Sequence, residues 1–227
     1  MLKVEDVSIS YGPVRILSNL TFDVNVNEIV AIIGPNGHGK TTLLKGIARL
    51  NDITSGRIRY LDSDITALKP HDVVRLGITL MPEGGGVLPG FTVIENLKLG
   101  SWNNWQEQNK MLEQVYSVFP WLAQRKNQVA WTLSGGERRM LAIARCLMGS
   151  PRLFLMDEPT LGVAPIVQQQ LREALMKIRV TGRSLVIAES NVSFVKGLAD
   201  RFLLLKDNRL TEIKVEELTR ESATRLL

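Results

Sequence analysis

The 227-residue chain predicts an α/β fold: a mostly parallel sheet, an antiparallel β portion near its start, and a helical stretch set into its middle. Three observations carry this. The apolar runs Ile29–Ile33 and Leu153–Met156 read as strands buried on both faces, the habit of parallel sheets. A glycine-rich turn follows the first run and opens a helix, as in a strand–loop–helix unit. Between Thr92 and Ser150 no strand pattern is evident, yet strands resume afterwards.

Taken in order, residues 2–9 read as a strand, and Leu20, Phe22, Val24 and Val26 alternate apolar with polar, as in a sheet with one buried face. A helix is expected over residues 40–50, a short strand over 58–60, and a short helix over 70–76 with Pro70 in its first turn and Gly77 as its stop. Residues 78–81 read as a strand. Residues 83–90 hold four glycines and one proline, a flexible loop. The helical stretch contains all four tryptophans, Trp102, Trp105, Trp121 and Trp131. A strand over 153–156, a helix from Pro165 to Arg179, and strands over 184–188, 202–206 and 210–213 complete the pattern. The whole of 1–227 reads as one domain, with 1–82 and 151–227 as its core and 83–150 as a helical subdomain.

Composition narrows the chemistry. A 44% hydrophobic and 22% charged balance is that of a globular chain, and no apolar run approaches the ~20 residues of a membrane span. The opening MLKVEDVSIS carries Lys3, Glu5 and Asp6, so no signal peptide is expected. One cysteine, Cys146, excludes a disulfide framework, and two histidines, His38 and His71, leave little for histidine-based catalysis. The net charge of +5 lies in residues 1–205, because the tail from Lys206 carries five basic and five acidic residues. Such an excess serves solubility or attracts an anion, a nucleic acid or a membrane surface.

Gly34-Pro35-Asn36-Gly37-His38-Gly39-Lys40-Thr41-Thr42 fits G-x-x-x-x-G-K-[ST] in the required strand-to-helix setting. The glycines let backbone N–H groups surround an anion, and the helix N-terminus adds free donors and partial positive charge. Lys40 is expected on the terminal phosphates and Thr41 on Mg²⁺; His38 also fits a plain solvent-facing loop position. Asp157 and Glu158 end a buried strand, where open α/β sheets bind ligands. Asp157 is expected to hold Mg²⁺ and Glu158 to polarise an attacking water.

Leu133-Ser134-Gly135-Gly136-Glu137 precedes a helix with Met140, Leu141, Ala144, Leu147 and Met148 on one face and Arg138, Arg139 and Arg145 off it. Ser134 and Glu137 have capping-box spacing, so a well-capped helix is one reading. Two adjacent glycines disfavour a helix and suit backbone approach to an anion, the other reading.

With LFLMDEPT, these motifs resemble the ATP-binding subunits of ABC transporters over about residues 1–214. The resemblance implies a P-loop NTPase core, ATP and Mg²⁺ as ligands, and a head-to-tail pair sandwiching two nucleotides. Ser134, Gly135 and Gly136 are then expected on the partner's γ-phosphate, and Tyr11 on adenine. Leu80-Met81-Pro82-Glu83 matches the lid loop, with Glu83 as a metal ligand where most members have glutamine. Most members have aspartate at Ala164 and a phosphate-contacting histidine at Ser190, where a serine can donate a hydrogen bond but carry no charge.

The combination of MPEGG, TVIENL, TLSGGERRMLAIARCLM and DEPTLGVAP resembles the branched-chain amino acid uptake group, and within it the shorter of two ATPases; related systems import amides or urea. The resemblance implies a peripheral protein at the cytoplasmic face of the cell membrane, integral permease subunits, a second ATPase subunit that is a paralogue or a second copy, and no nucleic acid. A soluble ATPase acting on nucleic acid or the ribosome, and a weakly hydrolysing partner subunit, are the alternatives.

Overall fold

The computed structural model describes residues 1–102, 105–214, 216 and 217. Strand β1 (Leu2–Tyr11) turns back at Gly12 into β2 (Val14–Val24), and β4 (Ser55–Tyr60) and β5 (Ser63–Asp64) extend this into an antiparallel sheet of order β2-β1-β4-β5. Leu20, Phe22 and Val24 fill its buried face, but Val26 is 67% exposed because the strand ends at Val24 and the chain turns through Asn27. The alternation therefore overreaches by one position.

The second sheet has order β10-β9-β3-β8-β7-β6, with β3 (Ile29–Ile33), β6 (Ile78–Met81), β7 (Leu153–Asp157), β8 (Ser184–Glu189), β9 (Arg201–Lys206) and β10 (Arg209–Ile213). The pairings from β9 through β6 are parallel, and β10 folds back antiparallel on β9. Asp207 and Asn208, both in the left-handed region, make that two-residue turn, a position asparagine and aspartate tolerate well.

Two apolar clusters flank this sheet, and the period of two deals side chains between them. Ile29, Ala31 and Ile33 face one cluster while Val30 and Ile32 face the other; Phe154 and Met156 oppose Leu153 and Leu155 in the same way. One face packs on α1 (Lys40–Ile47), α2 (Pro70–Arg75) and the antiparallel sheet; the other packs on α3 (Val93–Gly100), α4 (Gln108–Val118), α6 (Gly135–Leu147) and α7 (Pro165–Val180). A further short helix, α5 (Pro120–Gln124), lies between α4 and α6, and α8 (Val192–Val195), absent from the sequence reading, follows β8. The first helix stops at Ile47 rather than Leu50, which is exposed beyond its cap at Ala48. The helical stretch holds a single isolated bridge, Thr92 to Val129, among the described residues.

Candidate functional site

The strand ends of β3 and β7, separated by β8, build the site. After Ile33 the chain enters the loop at Gly34, where a Cβ would lie 2.2 Å from the Leu205 carbonyl oxygen, so only glycine fits against β9. At Gly39 the backbone has φ +97°, which glycine adopts at no steric cost, and Lys40 starts α1 there. Tyr11, Ile16, Asn36, Gly37, Gly39, Lys40, Thr41, Thr42, Glu83, Glu158 and Leu161 line a cleft of about 360 Å³. The larger part of the predicted nucleotide set thus converges on one cavity. Gly34, Pro35 and His38 do not line it; the carbonyls of Gly34 and Pro35 instead accept from the Lys40 ammonium, and His38 is half-buried.

Lys40 is buried in the middle of this arrangement. Its ammonium donates to the carbonyls of Gly34 at 2.8 Å and Pro35 at 3.2 Å and to Asn36 Oδ1 at 3.3 Å. It also pairs with Glu158 Oε1 at 2.9 Å. The other Glu158 oxygen accepts from Ser190 Oγ at 3.0 Å and Ser190 N–H at 3.2 Å. Glu158 has φ +45°, uncommon for a residue with a side chain and a frequent mark of functional sites. Its own N–H is fixed on the Ala188 carbonyl at 2.9 Å.

Asp157 ends β7 beside Thr41. Burial raises its carboxyl affinity for protons, the Thr41 side chain opposes this, and Glu83 and Glu158 add to the rise. Asp157 Oδ1 is buried without a hydrogen-bond partner. That orphaned oxygen, a hydroxyl and an exposed carboxylate form a hard-oxygen donor set that suits Mg²⁺, which takes one or two carboxylates and keeps water and phosphate for the rest. Among the described residues no group of three or more His, Cys, Asp or Glu forms a metal cage without nucleotide.

Tyr11 is 49% exposed at the cleft mouth, its hydroxyl accepting from Asn51 Nδ2 at 2.6 Å. Ser134, Gly135 and Gly136 lie apart from the cleft, with Ser134 and Gly135 exposed. The capping box is real: Ser134 Oγ accepts from Glu137 N–H at 3.2 Å and Glu137 Oε2 accepts from Ser134 N–H at 2.8 Å. The two glycines serve different ends. A Cβ on Gly135 would meet open space, whereas one on Gly136 would lie 2.5 Å from Val167 Cγ1 on α7. Helix packing, which the sequence reading did not weigh, explains the second glycine.

Two residues to which the sequence analysis assigns no role stand in the site. Glu189 is fully buried at the end of β8; its Oε1 accepts from Thr160 N–H at 2.8 Å and Thr160 Oγ1 at 2.6 Å, and its Oε2 from Asn191 N–H at 3.1 Å. Burial pushes its carboxyl up to about 7. An acidic residue closing the apolar run Leu185–Ala188 is the same signal that marked Asp157. Arg139, expected off the apolar face of its helix, is instead buried and donates from Nη2 to the Leu161 carbonyl at 3.1 Å. The run from Met140 to Met148 is apolar on nearly every side except at Arg145, and such a helix buries most of its circumference.

A phosphate loop feeding a helix, with a buried lysine facing a carboxylate pair on a nearby strand end, defines a P-loop nucleotide-binding protein. A family model described as ABC transporter matches residues 17–161. The chain belongs to this family and is an ATP-binding, ATP-hydrolysing subunit of it. It is 38% identical over 211 residues to the high-affinity branched-chain amino acid transport ATP-binding protein BraG of Pseudomonas aeruginosa, covering 92% of this chain and 91% of that one. It is 34% identical over 212 residues to the probable branched-chain amino acid transport ATP-binding protein LivF of Archaeoglobus fulgidus, covering 92% and 90%. An ATP-binding cassette of an ABC transporter solved in its ADP conformation superposes with a TM-score of 0.85 at 26% identity, over 99% of this chain and 95% of that one. Family membership implies dimerisation and a membrane permease partner; no helix among the described residues is long and apolar enough to cross a membrane.

Proposed function

We propose that this subunit powers an importer for branched-chain amino acids or related small amides. The printed names of BraG and LivF support the solute class. In this reading the whole of 1–227 is one ATPase unit, with 83–150 its helical subdomain. Two such subunits close head to tail, each a copy or a paralogue of the other. They act on integral permease subunits at the cytoplasmic face of the cell membrane.

The observation that carries the hydrolytic assignment is the buried Lys40–Glu158 pair inside the cleft, with Ser190 on the carboxylate's far oxygen. Adenine stacks on the exposed Tyr11 ring, and backbone N–H groups from Gly37 to Thr42 surround the phosphates. Lys40 turns from the Glu158 carboxylate to the terminal phosphates, which are a stronger anion. Glu158, freed on that side, accepts the proton of the attacking water, and Ser190 holds its orientation. Thr41, Asp157 and Glu83 would hold Mg²⁺, which neutralises phosphate charge in the transition state. Gly135 and Gly136 present backbone N–H groups, and Ser134 its hydroxyl, to the nucleotide on the opposite subunit.

Glu158→Gln tests this. It keeps the side-chain shape while removing the base, so ATP binds, turnover stops, and the chain elutes as a dimer in ATP. Undiminished hydrolysis overturns the general-base role. Stimulation of the ATPase by nucleic acid, with no membrane subunit co-purifying, overturns the transport role.

A further inference from the structure

Helix α6 begins at the element assigned above to the opposite subunit's nucleotide, yet one turn later it reaches into this chain's own site. The residue that does so is Arg139. Its side chain is 8% exposed, and Nη2 donates to the carbonyl of Leu161, a residue lining the nucleotide cleft. The lid loop presses on the same spot: a Cβ on Gly85 would lie 2.8 Å from Ala142 Cβ and 3.9 Å from Arg139 Nη1. Arg145, also on α6, donates to the Gly85 carbonyl at 3.4 Å.

A buried guanidinium held by one carbonyl is poorly compensated, and Nη1 is buried with no hydrogen-bond partner at all. What compensates it is charge. Burial works against the cation, while Glu189, Glu83, Asp157 and Glu158 act in its favour. These carboxylates come from the ends of β8 and β7 and from the lid loop. The other cations facing the group are Lys40, paired with Glu158, and Arg145, on the lid backbone.

We infer that Arg139 is a positioning residue that bolts the partner-facing start of α6 to this chain's own hydrolytic carboxylates. It does so through the Leu161 carbonyl and through its charge. The inference rests on the assignments of Glu158 as base and of Ser134–Gly136 as partner-facing. A helix carrying both features passes a displacement at its first turn directly to the turn that follows Glu158. The cation also faces two adjacent carboxylates and a buried third, and its charge offsets their mutual repulsion.

The test uses the full chain with Arg139→Met and Arg139→Lys, reading ATPase kcat and KM separately. In Arg139→Met, kcat falls about tenfold, with KM altered less than about twofold, since misplacement of a base costs rate rather than binding. Arg139→Lys restores the charge and returns kcat towards the wild-type value. Wild-type kcat in Arg139→Met overturns the proposal. So does a loss of kcat in Arg139→Lys equal to that in Arg139→Met, which marks a packing role. If Arg139→Met does not fold, Arg139→Lys decides: near-wild-type kcat supports the charge role, and a tenfold loss overturns it. A wild-type chain whose hydrolysis survives Glu158→Gln fails the underlying base assignment instead, so the two failures are distinct.

Discussion

Ser190 grips a single oxygen of Glu158 twice, through its hydroxyl at 3.0 Å and its backbone N–H at 3.2 Å. The residue at this position therefore sets the aim of the carboxylate while adding no charge. Ser190→Ala keeps the N–H and loses the hydroxyl, so kcat falls several-fold, about 1 kcal/mol for one such bond. Ser190 is only half-buried, which leaves room for a ring. Ser190→His retains or raises kcat, and a complete loss in steady-state ATPase assays shows that the serine itself is required.

The Lys40–Glu158 pair makes a different forecast for the nucleotide-free chain. Both side chains are over nine-tenths buried, and removing one partner strands the other. Lys40→Ala abolishes ATP binding by calorimetry and lowers stability by about 3 kcal/mol. Lys40→Ala combined with Glu158→Gln recovers part of that stability in urea unfolding, because no uncompensated charge is left. Equal stability of the single and double variants contradicts the pairing.

Glu189 imposes a pH dependence on folding. Its carboxyl sits at about 7, against 4.5 for an ordinary glutamate, because burial outweighs its hydrogen bonds. The folded chain thus holds a proton that the unfolded chain releases between these values, and stability falls as pH rises from about 4.5 to about 7, then levels. From pH 5 to pH 8 the wild type loses roughly 2 kcal/mol more than Glu189→Gln in urea unfolding. Asp157, raised in the same direction, contributes equally to both proteins. Parallel pH slopes refute the assignment.

The two signature glycines separate cleanly. Gly135→Ala meets no atom and leaves the melting temperature unchanged or higher, yet it lowers ATPase activity by crowding a surface offered to nucleotide. Gly136→Ala drives a methyl into Val167 and costs about 1–3 kcal/mol by thermal unfolding. Equal melting points exclude this division of labour.

Helix α7 lacks a side-chain cap, with Ala164 at its N-cap and Pro165 following. Ala164→Asp supplies the missing acceptor and stabilises by about 1 kcal/mol, or roughly 2–4 °C in melting temperature for a chain of this length. An unchanged melting curve shows that the exposed N–H groups there are already satisfied.

The inner strands of the sheet were legible because they are short and almost wholly apolar, so Ile29–Ile33, Leu153–Met156 and Ser184–Ala188 stood out directly. Lys40, Thr41, Asp157 and Glu158 were legible because phosphate chemistry favours those residue types at fixed places, the first two at the start of a helix and the last two at the end of a strand. Arg139 and Glu189 were not, for a shared reason. Each is a charged group inside apolar surroundings, made tolerable by partners distant in sequence, at Leu161 and Thr160. Val26 and Leu50 failed for the opposite reason: apolar residues past an element's end keep the periodicity without the burial.

Neighbouring side chains on a strand point to opposite sides of a sheet, so a regular β7 aims Asp157 and Glu158 away from each other. The left-handed backbone at Glu158 cancels that alternation in a single residue. Both carboxylates thereby address the same lysine and the same hydroxyl-bearing helix start, although they are covalent neighbours. Two acids on one ligand need no second strand here, only one residue bent against its preference.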